Sequence, residues 1–227
     1  MKGKLIVIEG TDCSGKETQT KLLIQRLRAD GFKVENFSFP NYNSPTGKII
    51  GGPYLGKPAL SPSYFDEGAT HVDPKVASLY YAADRKYNID KITFLLDNGA
   101  HIILDRYIYS NMAHQGGKLT DSSVRVNMYN WLEQLEFQLL NLPKPDIALF
   151  LHMPTKQAQT LKVNRLEAAD AHEKDIDHLL HAEKAYIELA KRYNMYTVEC
   201  CNDKGIRTIE DINDEIYTYV YHKLKTN

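Results

Sequence analysis

The sequence predicts an α/β fold in which a five-stranded parallel sheet lies between layers of helices. Five short runs rich in apolar and β-branched residues alternate with segments that can form helices. A chain that alternates in this way builds a parallel sheet with crossover helices. Three of the runs are nearly all apolar, as expected for strands covered on both faces. The predicted strands are KLIVIEG, KVENFSF, HIILD, DIALFLHM and MYTVECC.

Two of the predicted helices carry an apolar stripe with a period of 3.6 residues. We expect both stripes to pack into the core, although the first could equally form a subunit interface. The first stripe is Val124, Met128, Trp131, Leu132, Leu135 and Leu139, and the second is Ile209, Ile212, Ile216, Val220 and Leu224.

Length and composition indicate a single domain over residues 1–227. The chain is 43% hydrophobic and 25% charged, which suits one well-buried core. Because 28 Lys and Arg residues face 29 Asp and Glu residues, there is no overall basic field to attract a nucleic-acid polymer or an anionic membrane.

The cellular location is predicted from the lack of a membrane-spanning run or basic leader and from the cysteine content. No apolar run approaches the ~18 residues of a membrane span, and no basic leader precedes the first strand. Cys13, Cys200 and Cys201 have neither the number nor the spacing of a disulfide framework or a zinc site. We therefore expect a cytoplasmic protein with reduced thiols, in which Cys200 and Cys201 pack at the end of a strand.

Residues 51–74 form the one irregular region, GGPYLGKPALSPSYFDEGATHVDP. Its Gly and Pro content favours turns, and a loop this long in a compact domain is usually functional or mobile. A flap near the substrate and a plain surface excursion are both compatible with it.

A glycine-rich turn follows the first strand in EGTDCSGKETQT, residues 9–20. Gly10, four residues, and then Gly15 and Lys16 have the spacing of a phosphate-binding loop. Backbone N–H groups in such a turn point at one spot, where the dipole of the following helix also favours negative charge. We predict a phosphate site in which Lys16 reaches the outer phosphates.

Position 17 departs from this pattern, since Glu17 stands where the loop normally offers Ser or Thr to magnesium. Oxygen is the ligand that magnesium prefers. Glu17 could therefore ligate Mg²⁺ directly or through water, or it could turn outward while Thr18 supplies a hydroxyl. A loop that binds phosphate without a competent metal is the remaining alternative.

A second motif places Asp105 at the carboxyl end of an apolar strand, in HIILDRYIYSNMAHQGGK. Ligands collect at the carboxyl ends of the strands in an open parallel sheet. We expect Asp105 to orient the hydration shell of magnesium and Arg106 to face an anion. A salt bridge between the two is the alternative, although neighbours along a strand point oppositely.

A third motif, SLYYAADRKY, is helical and puts Tyr81 and Arg85 four residues apart on one face. An aromatic ring beside a guanidinium suits a stacked nucleobase and a clamped phosphate. A surface packing contact is the alternative interpretation.

The order of these motifs resembles that of the thymidylate kinase (dTMP kinase) family of P-loop nucleoside-monophosphate kinases. The similar stretches run from the first strand through most of the chain at comparable spacing. The resemblance implies a P-loop NTPase-type three-layer αβα fold with a helical lid, and a homodimer. It is carried by EGTDCSGKETQ, FSFP, YYAADR, LDRYIYSNMAHQG and PDIALFLHMP.

The resemblance also implies roles for single residues. Lys16 would bind the phosphates of ATP, Asp105 would serve Mg²⁺, and Arg85 and Arg106 would hold the acceptor phosphate. Asp12 would lie near the 3′-hydroxyl of the acceptor sugar. The implied ATP-binding set is Gly10, Thr11, Asp12, Cys13, Ser14, Gly15, Lys16, Glu17 and Thr18.

For the acceptor base, the resemblance implies that Tyr81 stacks on thymine while Ser110 and Gln115 read its edge. The implied substrate-binding set is Asp12, Phe39, Pro40, Tyr81, Arg85, Arg106, Ser110, His114 and Gln115.

Three positions depart from the family pattern. Tyr42 stands where the family commonly has an arginine, and His114 stands where an aromatic residue precedes Gln115. Cys13 replaces the phosphate-loop arginine of eukaryote-like members. Positive charge on the donor side must then come from elsewhere.

The predicted source is the lid, at about residues 160–178, where Lys162 and Arg165 could close over the transferring phosphoryl group as an arginine finger does. For Lys162 a solvated helix end is an equal alternative. The lid-region histidines His172, His178 and His181 are expected to be exposed polar residues and not a metal set.

The predicted reaction is ATP plus dTMP giving ADP plus dTDP. Because the acceptor phosphate is already anionic, no general base is needed, whereas a nucleoside kinase would need a carboxylate base. The alternatives are a kinase for another deoxypyrimidine nucleotide and a nucleotide-binding protein that has lost catalysis.

Overall fold

The computed structural model describes residues 2–162 and 175–226, and the predicted five-stranded parallel sheet is confirmed. Every neighbouring pair of strands in this sheet is parallel, and the strand order is β2-β3-β1-β4-β5. The strands are β1 (Leu5–Gly10), β2 (Val34–Ser38), β3 (His101–Asp105), β4 (Ile147–His152) and β5 (Tyr196–Glu199). A two-stranded antiparallel ribbon follows, formed by β6 (Cys201–Asn202) and β7 (Gly205–Ile206).

Strand β1 lies at the centre of the sheet and all six of its residues are buried. Ile8 pairs with Asp105 on one side, and Gly10 pairs with Leu151 on the other. The turn after β1 and the end of β3 therefore meet at the same edge of the sheet. This is the edge at which open parallel sheets bind ligands.

Helices cover both faces of the sheet, which confirms the three-layer αβα class. One apolar core lies between the sheet and α3, α4, α5 and α7, and a second lies between the sheet and α1 and α8. The helices are α1 (Lys16–Ala29), α2 (Pro45–Ile49), α3 (Pro74–Asp97), α4 (Ile108–Gly117), α5 (Ser122–Glu133), α6 (Thr155–Lys162), α7 (Ile176–Arg192) and α8 (Ile209–Lys225).

The two predicted stripes differ in how fully they are buried. On α8, Ile212, Ile216 and Val220 are buried and Leu224 is partly buried, while Ile209 at the start of the stripe is exposed. On the stripe that begins on α5, Met128 and Leu132 are buried while Val124 and Leu139 are exposed.

Two helices continue into π-helical segments, Ile50–Tyr54 after α2 and Gln134–Leu139 after α5. The wider turn changes which residues face inward, and such segments are frequent at functional sites. In the second segment the inward-facing residue is Glu136, which is fully buried.

The irregular region 51–74 packs on a small apolar cluster of its own. The Tyr54 hydroxyl donates to the Ala69 carbonyl at 2.9 Å, and the Lys118 ammonium at the end of α4 donates to the carbonyls of Ala69 and Val72 at 3.0 and 2.8 Å. The region is therefore a folded excursion tied to α4. The buried members of the cluster are Ile50, Tyr54, Leu55, Ala69, Val72 and Ala77.

The cysteines at the end of β5 pack as predicted: Cys200 is buried and Cys201 is partly buried, and both are free thiols. Within residues 2–162 and 175–226, no helix is both long and apolar enough to cross a bilayer.

Candidate active site

A cavity of about 560 Å³ opens at the carboxyl edge of the sheet. It is lined by the turn after β1, the end of β2, the middle of α3, one face of α4 and part of the irregular region. The predicted site residues in its lining are Asp12, Cys13, Ser14, Gly15, Lys16, Glu17, Thr18, Phe39, Pro40, Tyr81, Arg85, Asp105, Arg106, Ser110, His114 and Gln115.

The phosphate-binding loop connects β1 to the N-terminus of α1. Gly15 and Cys13 have positive φ angles of 77° and 59°, which turn the chain sharply before the helix. Lys16 is buried, and its ammonium donates to the carbonyls of Gly10 and Thr11 at 3.1 and 2.8 Å. Burial and the nearby Arg106 lower the pKa of Lys16 to about 8. The loop therefore presents a helix N-terminus and a partly desolvated cation to the same point.

Glu17 and Thr18 are both exposed in the first turn of α1. The Glu17 carboxylate receives a hydrogen bond from the Lys21 ammonium at 2.6 Å, and its side chain is 76% exposed. In this arrangement Glu17 lies at the rim of the cavity. Its role as a magnesium ligand, and that of Thr18 as the alternative, stay predictions.

Asp105 lies at the end of β3, beside the loop. Its Oδ1 atom is buried and has no hydrogen-bond partner among the described residues, and its charge raises the pKa of Lys16 against burial. A buried carboxylate oxygen without a partner costs free energy unless a ligand satisfies it. Because Mg²⁺ prefers such oxygen atoms, the residues present fit a magnesium ion near Asp105.

Arg106 follows Asp105 and has a left-handed backbone with φ 65°. Its guanidinium donates to the Asp12 carboxylate at 2.6 Å, to the Tyr186 hydroxyl at 3.1 Å and to the Ser110 hydroxyl at 3.2 Å. Burial alone would raise the pKa of Asp12, but the charges of Arg106, His114 and Lys16, together with the hydrogen bond from Arg106, outweigh burial and hold that pKa well below its usual range. Asp12 is therefore a carboxylate, and it joins the loop to Arg106.

Glu9 is a buried carboxylate that the sequence analysis missed. It is fully buried in β1 and accepts hydrogen bonds from the amides of Tyr107 and Ser110 at 2.9 and 3.1 Å, and from the Ser110 hydroxyl at 2.5 Å. Burial raises the pKa of Glu9, with the Ser110 hydrogen bond acting in the opposite direction. An acidic residue inside an otherwise apolar strand was the signal available in the sequence.

Arg85 lies in the cavity wall but is almost fully buried and paired. Its Nε and Nη2 atoms donate to the two oxygens of Glu136, each at 2.5 Å, and Asn111 donates to the same carboxylate at 3.2 Å. Glu136 compensates the charge of Arg85, whereas Arg106 lies beside the phosphate-binding loop. Of the two arginines expected at the acceptor phosphate, Arg106 is thus the better supported.

Unpaired polar atoms mark the part of the cavity wall around Arg85. Both side-chain amide atoms of Gln115 are buried without a partner among the described residues, and so is Asn111 Oδ1. The Ser110 hydroxyl, in contrast, is bonded to Glu9, so Gln115 is the better supported of the two predicted edge-reading residues. Donors and acceptors left unpaired together suit a planar ligand with polar edges.

Asp84 is, after Glu9 and Glu136, the third of these buried acids that the sequence did not reveal, and it shapes the turn after β2. Its carboxylate accepts hydrogen bonds from the backbone N–H of Asn41 at 2.8 Å and from the side-chain amide of Asn88 at 3.0 Å. It also accepts from the hydroxyls of Ser44 and Thr46 at 2.9 and 2.7 Å. These bonds fix the segment that carries Pro40 and Tyr42 into the cavity lining.

The histidine expectation was wrong for His178, which is buried. Its Nε2 lies 3.2 Å from Nδ1 of the cavity residue His114, and the two rings stack with centroids 5.4 Å apart. His178 belongs to the first turn of α7, where packing against α4 covers it. His181 is exposed, as expected.

Part of the predicted lid lies outside the described residues, which stop at residue 162 and resume at 175. Arg165 and His172 fall in this gap, and the side chain of Lys162 is also outside the description.

Comparisons with known proteins agree on one family. A family model described as thymidylate kinase matches residues 8–212. The probable thymidylate kinase of Methanocaldococcus jannaschii is 32% identical over 215 residues, covering 95% of this chain and 94% of that protein. The thymidylate kinase of Plasmodium falciparum is 29% identical and covers 95% and 88%. A solved thymidylate kinase structure from Candida albicans has a TM-score of 0.74 at 26% identity, covering 97% and 92%.

Proposed function

This chain belongs to the thymidylate kinase family, and from that premise we propose that it transfers the terminal phosphoryl group of ATP to dTMP, giving ADP and dTDP. One observation carries the proposal. A single cavity has the phosphate-binding loop and Lys16 on one side and Arg106 beside it, and its wall contains the Gln115 amide, which has no hydrogen-bond partner among residues 2–162 and 175–226. The cavity thus offers separate places for a triphosphate, for a second phosphate and for a base.

ATP is assigned to the loop because its phosphates complement the N-terminus of α1 and the ammonium of Lys16. Asp105 would hold Mg²⁺ through its hydration shell, with Glu17 as the second proposed ligand. When bound, Mg²⁺ neutralises charge on the transferring phosphate groups. Lys16 and Arg106 orient the two nucleotides in line.

The acceptor phosphate is assigned to Arg106, which can shift part of its hydrogen bonding from Asp12 to the incoming dianion. Asp12 would remain close to the 3′-hydroxyl of the sugar. Since the acceptor is already ionised, positioning and charge compensation are sufficient for the reaction, and no side chain has to remove a proton.

The base is assigned to the wall that contains Tyr81, Arg85 and Gln115. Glu136 engages Nε and Nη2 of Arg85, so its Nη1 is the guanidinium nitrogen that this pair leaves for a ligand. The Gln115 amide offers one donor group and one acceptor group. A pyrimidine edge that carries both kinds of group would satisfy them.

A second candidate function is phosphorylation of another deoxypyrimidine nucleotide. It is favoured by Tyr42 and His114, which stand at positions where the family pattern has other residues and which both line the cavity.

The lid residue that completes the catalytic site is proposed to be Arg165, with Lys162 as its alternative. A protein that binds nucleotides without turnover is the third candidate.

We propose that the protein is cytoplasmic, as the family resemblance implies. We also propose that it forms a homodimer, from the same resemblance and because one apolar face of α3 is exposed. Val76, Leu79, Tyr87 and Phe94 on α3 are each more than 40% exposed and fall on one side of the helix. A second copy would cover this apolar stripe. A molar mass of one chain in light scattering at micromolar concentration would contradict the dimer.

The test is ADP release on mixing the protein with ATP, Mg²⁺ and, in separate reactions, dTMP, dUMP, dCMP, UMP or thymidine. We expect dTMP to be the best acceptor. Preference for another monophosphate would favour the second candidate, while tight dTMP binding without ADP release would favour the non-enzymatic one. Turnover of thymidine alone would contradict a monophosphate kinase.

A further inference from the structure

Tyr186 is a fully buried tyrosine on α7 that is absent from the described lining of the active-site cavity. Its hydroxyl nevertheless lies 3.1 Å from Arg106 Nη1 and 2.7 Å from Ser110 Oγ. The ring stacks on Phe150 with centroids 5.4 Å apart and an interplanar angle of 12°. Packing therefore fixes the place of this hydroxyl behind Arg106.

The donor and acceptor capacities of four side chains set the direction of the hydrogen bonds between them. Arg106 can only donate and an ionised Glu9 can only accept. The single hydroxyl proton of Ser110 is used toward Glu9, at 2.5 Å. Tyr186 must then donate to Ser110, and its oxygen is left to accept from Arg106.

The Glu9 carboxylate also holds the backbone that follows Arg106 in the chain. Glu9 accepts the amides of Tyr107 and Ser110, which lie directly after and four residues after Arg106. Arg106 itself has a left-handed backbone, a conformation that costs free energy for a residue with a Cβ atom. Glu9 thus stabilises both the turn and the side chain that projects from it.

We propose that Tyr186 and Glu9 are positioning residues for Arg106, acting through the relay Arg106 to Tyr186 to Ser110 to Glu9, alongside the direct hydrogen bond from Arg106 to Ser110. The inference rests on the proposed function only in assigning the acceptor phosphate to Arg106. Neither residue touches the nucleotide. Each acts by holding the guanidinium where the phosphate meets it, which lowers the cost of ordering that side chain on binding.

The first test removes one hydroxyl. In Tyr186→Phe we expect the Kd for dTMP, measured by calorimetry, to rise about five- to tenfold, because Arg106 loses one of the hydrogen bonds that hold it in place and the effect on dTMP is indirect. The Kd for a non-hydrolysable ATP analogue should not change. Tyr129→Phe is the matched control, since Tyr129 is 1% exposed with its hydroxyl 3.4 Å from Glu188, and it should bind dTMP like the wild type.

The second test is a double-mutant cycle with Arg106→Ala. If Tyr186 acts through Arg106, adding Tyr186→Phe to Arg106→Ala should change the Kd for dTMP by less than about twofold. An undiminished loss in the Arg106→Ala background, or an unchanged Kd in Tyr186→Phe, would overturn the proposal. Glu9→Gln, which places a donor where an acceptor is needed, should weaken dTMP binding in the same non-additive way.

The same cycle measured by urea unfolding of the ligand-free protein separates this inference from the proposed function. A wild-type protein that neither binds nor phosphorylates dTMP would refute the function, while the unfolding cycle still reports the relay. Non-additive unfolding of Tyr186→Phe and Arg106→Ala supports the relay, and additive unfolding would overturn it whatever the substrate.

Discussion

The guanidinium of Arg85 and the carboxylate of Glu136 meet in the interior through two parallel hydrogen bonds, with side chains that are 2% and 0% exposed. The pair joins α3 to the π-helical segment after α5. Burying the two charges is possible because each carboxylate oxygen of Glu136 accepts a hydrogen bond from the Arg85 guanidinium. Removing either side chain would leave the other charge buried and uncompensated.

Glu136→Ala is therefore expected to lower the free energy of unfolding by about 3–5 kcal/mol, the cost of a buried unpaired charge. Urea unfolding followed by circular dichroism measures it. Glu133→Ala, on the same helical stretch but only partly buried, should cost less than about 1 kcal/mol. Equal losses in the two variants would contradict the burial argument.

A paired replacement separates stability from binding at this position. Arg85→Met combined with Glu136→Leu removes both charges, and we expect it to recover most of the stability lost in Glu136→Ala. It should still bind dTMP at least about tenfold more weakly, since the base loses a charge-assisted hydrogen bond. Wild-type dTMP affinity in the paired variant would show that Arg85 has no part in the site.

Asp105 and Glu17 should differ in their effect on the magnesium requirement. In Asp105→Asn the half-saturating Mg²⁺ concentration is expected to rise about tenfold or more, as for residues that orient metal-bound water. Glu17→Ser should stay within about twofold, because the serine hydroxyl that phosphate-binding loops normally offer at this position can replace the carboxylate as an oxygen ligand of Mg²⁺. Steady-state rates over a magnesium titration measure both, and a severe loss in Glu17→Ser would show that the site depends on the carboxylate.

His152 and Glu183 should make stability depend on pH. The hydrogen bond to Glu183 raises the pKa of His152 above its usual 6.5, against burial. Burial would raise the pKa of Glu183, but hydrogen bonds from His152 and Thr155 outweigh it and lower that pKa to about 2. The contribution of His152 to the free energy of unfolding is fully present below pH 6.5 and is lost as the pH rises through the raised pKa. The contribution of Glu183 is fully present above pH 4.5 and is lost as the pH falls through the lowered pKa.

The stability difference between wild type and His152→Gln should accordingly be largest between about pH 4.5 and 6.5 and should shrink on either side. Urea unfolding at a series of pH values measures it. A difference that is the same at every pH would refute the pairing.

Asp84→Asn tests the turn after β2. An Asn amide in either orientation directs N–H groups at one or more of the donors that Asp84 now satisfies, so we expect a loss of about 1–3 kcal/mol in unfolding and weaker dTMP binding. Asp90→Asn, at an exposed position of the same helix, is the control and should change neither.

The fold was largely predictable because five short runs rich in apolar and β-branched residues alternate with helical segments, and these five runs form the five strands. The phosphate-binding loop and Asp105 were predictable because their positions depend on neighbours in sequence. Glu9, Asp84 and Glu136 were not. Periodicity predicts that a charged side chain faces solvent unless its partner is known. Except for Asn88, which lies on the same helix as Asp84, these partners are 25 to 101 residues away.

The π-helical segment after α5 explains the last of these misses. A regular helical period applied to residues 122–139 follows the apolar residues, whereas the wider turn brings Glu136 into the interior. His178 was misjudged for a related reason, since the ring that covers it belongs to α4.

The separate apolar cluster of the irregular region has a consequence for hydrogen exchange. Its buried side chains pack mainly with one another, and Lys118 ties the excursion to α4 through two main-chain carbonyls. Residues 54–72 should therefore exchange their amide protons as one cooperative unit, at a lower free energy than the sheet. Replacing Lys118 by Met would speed that exchange while leaving the β1 amides as slow as before.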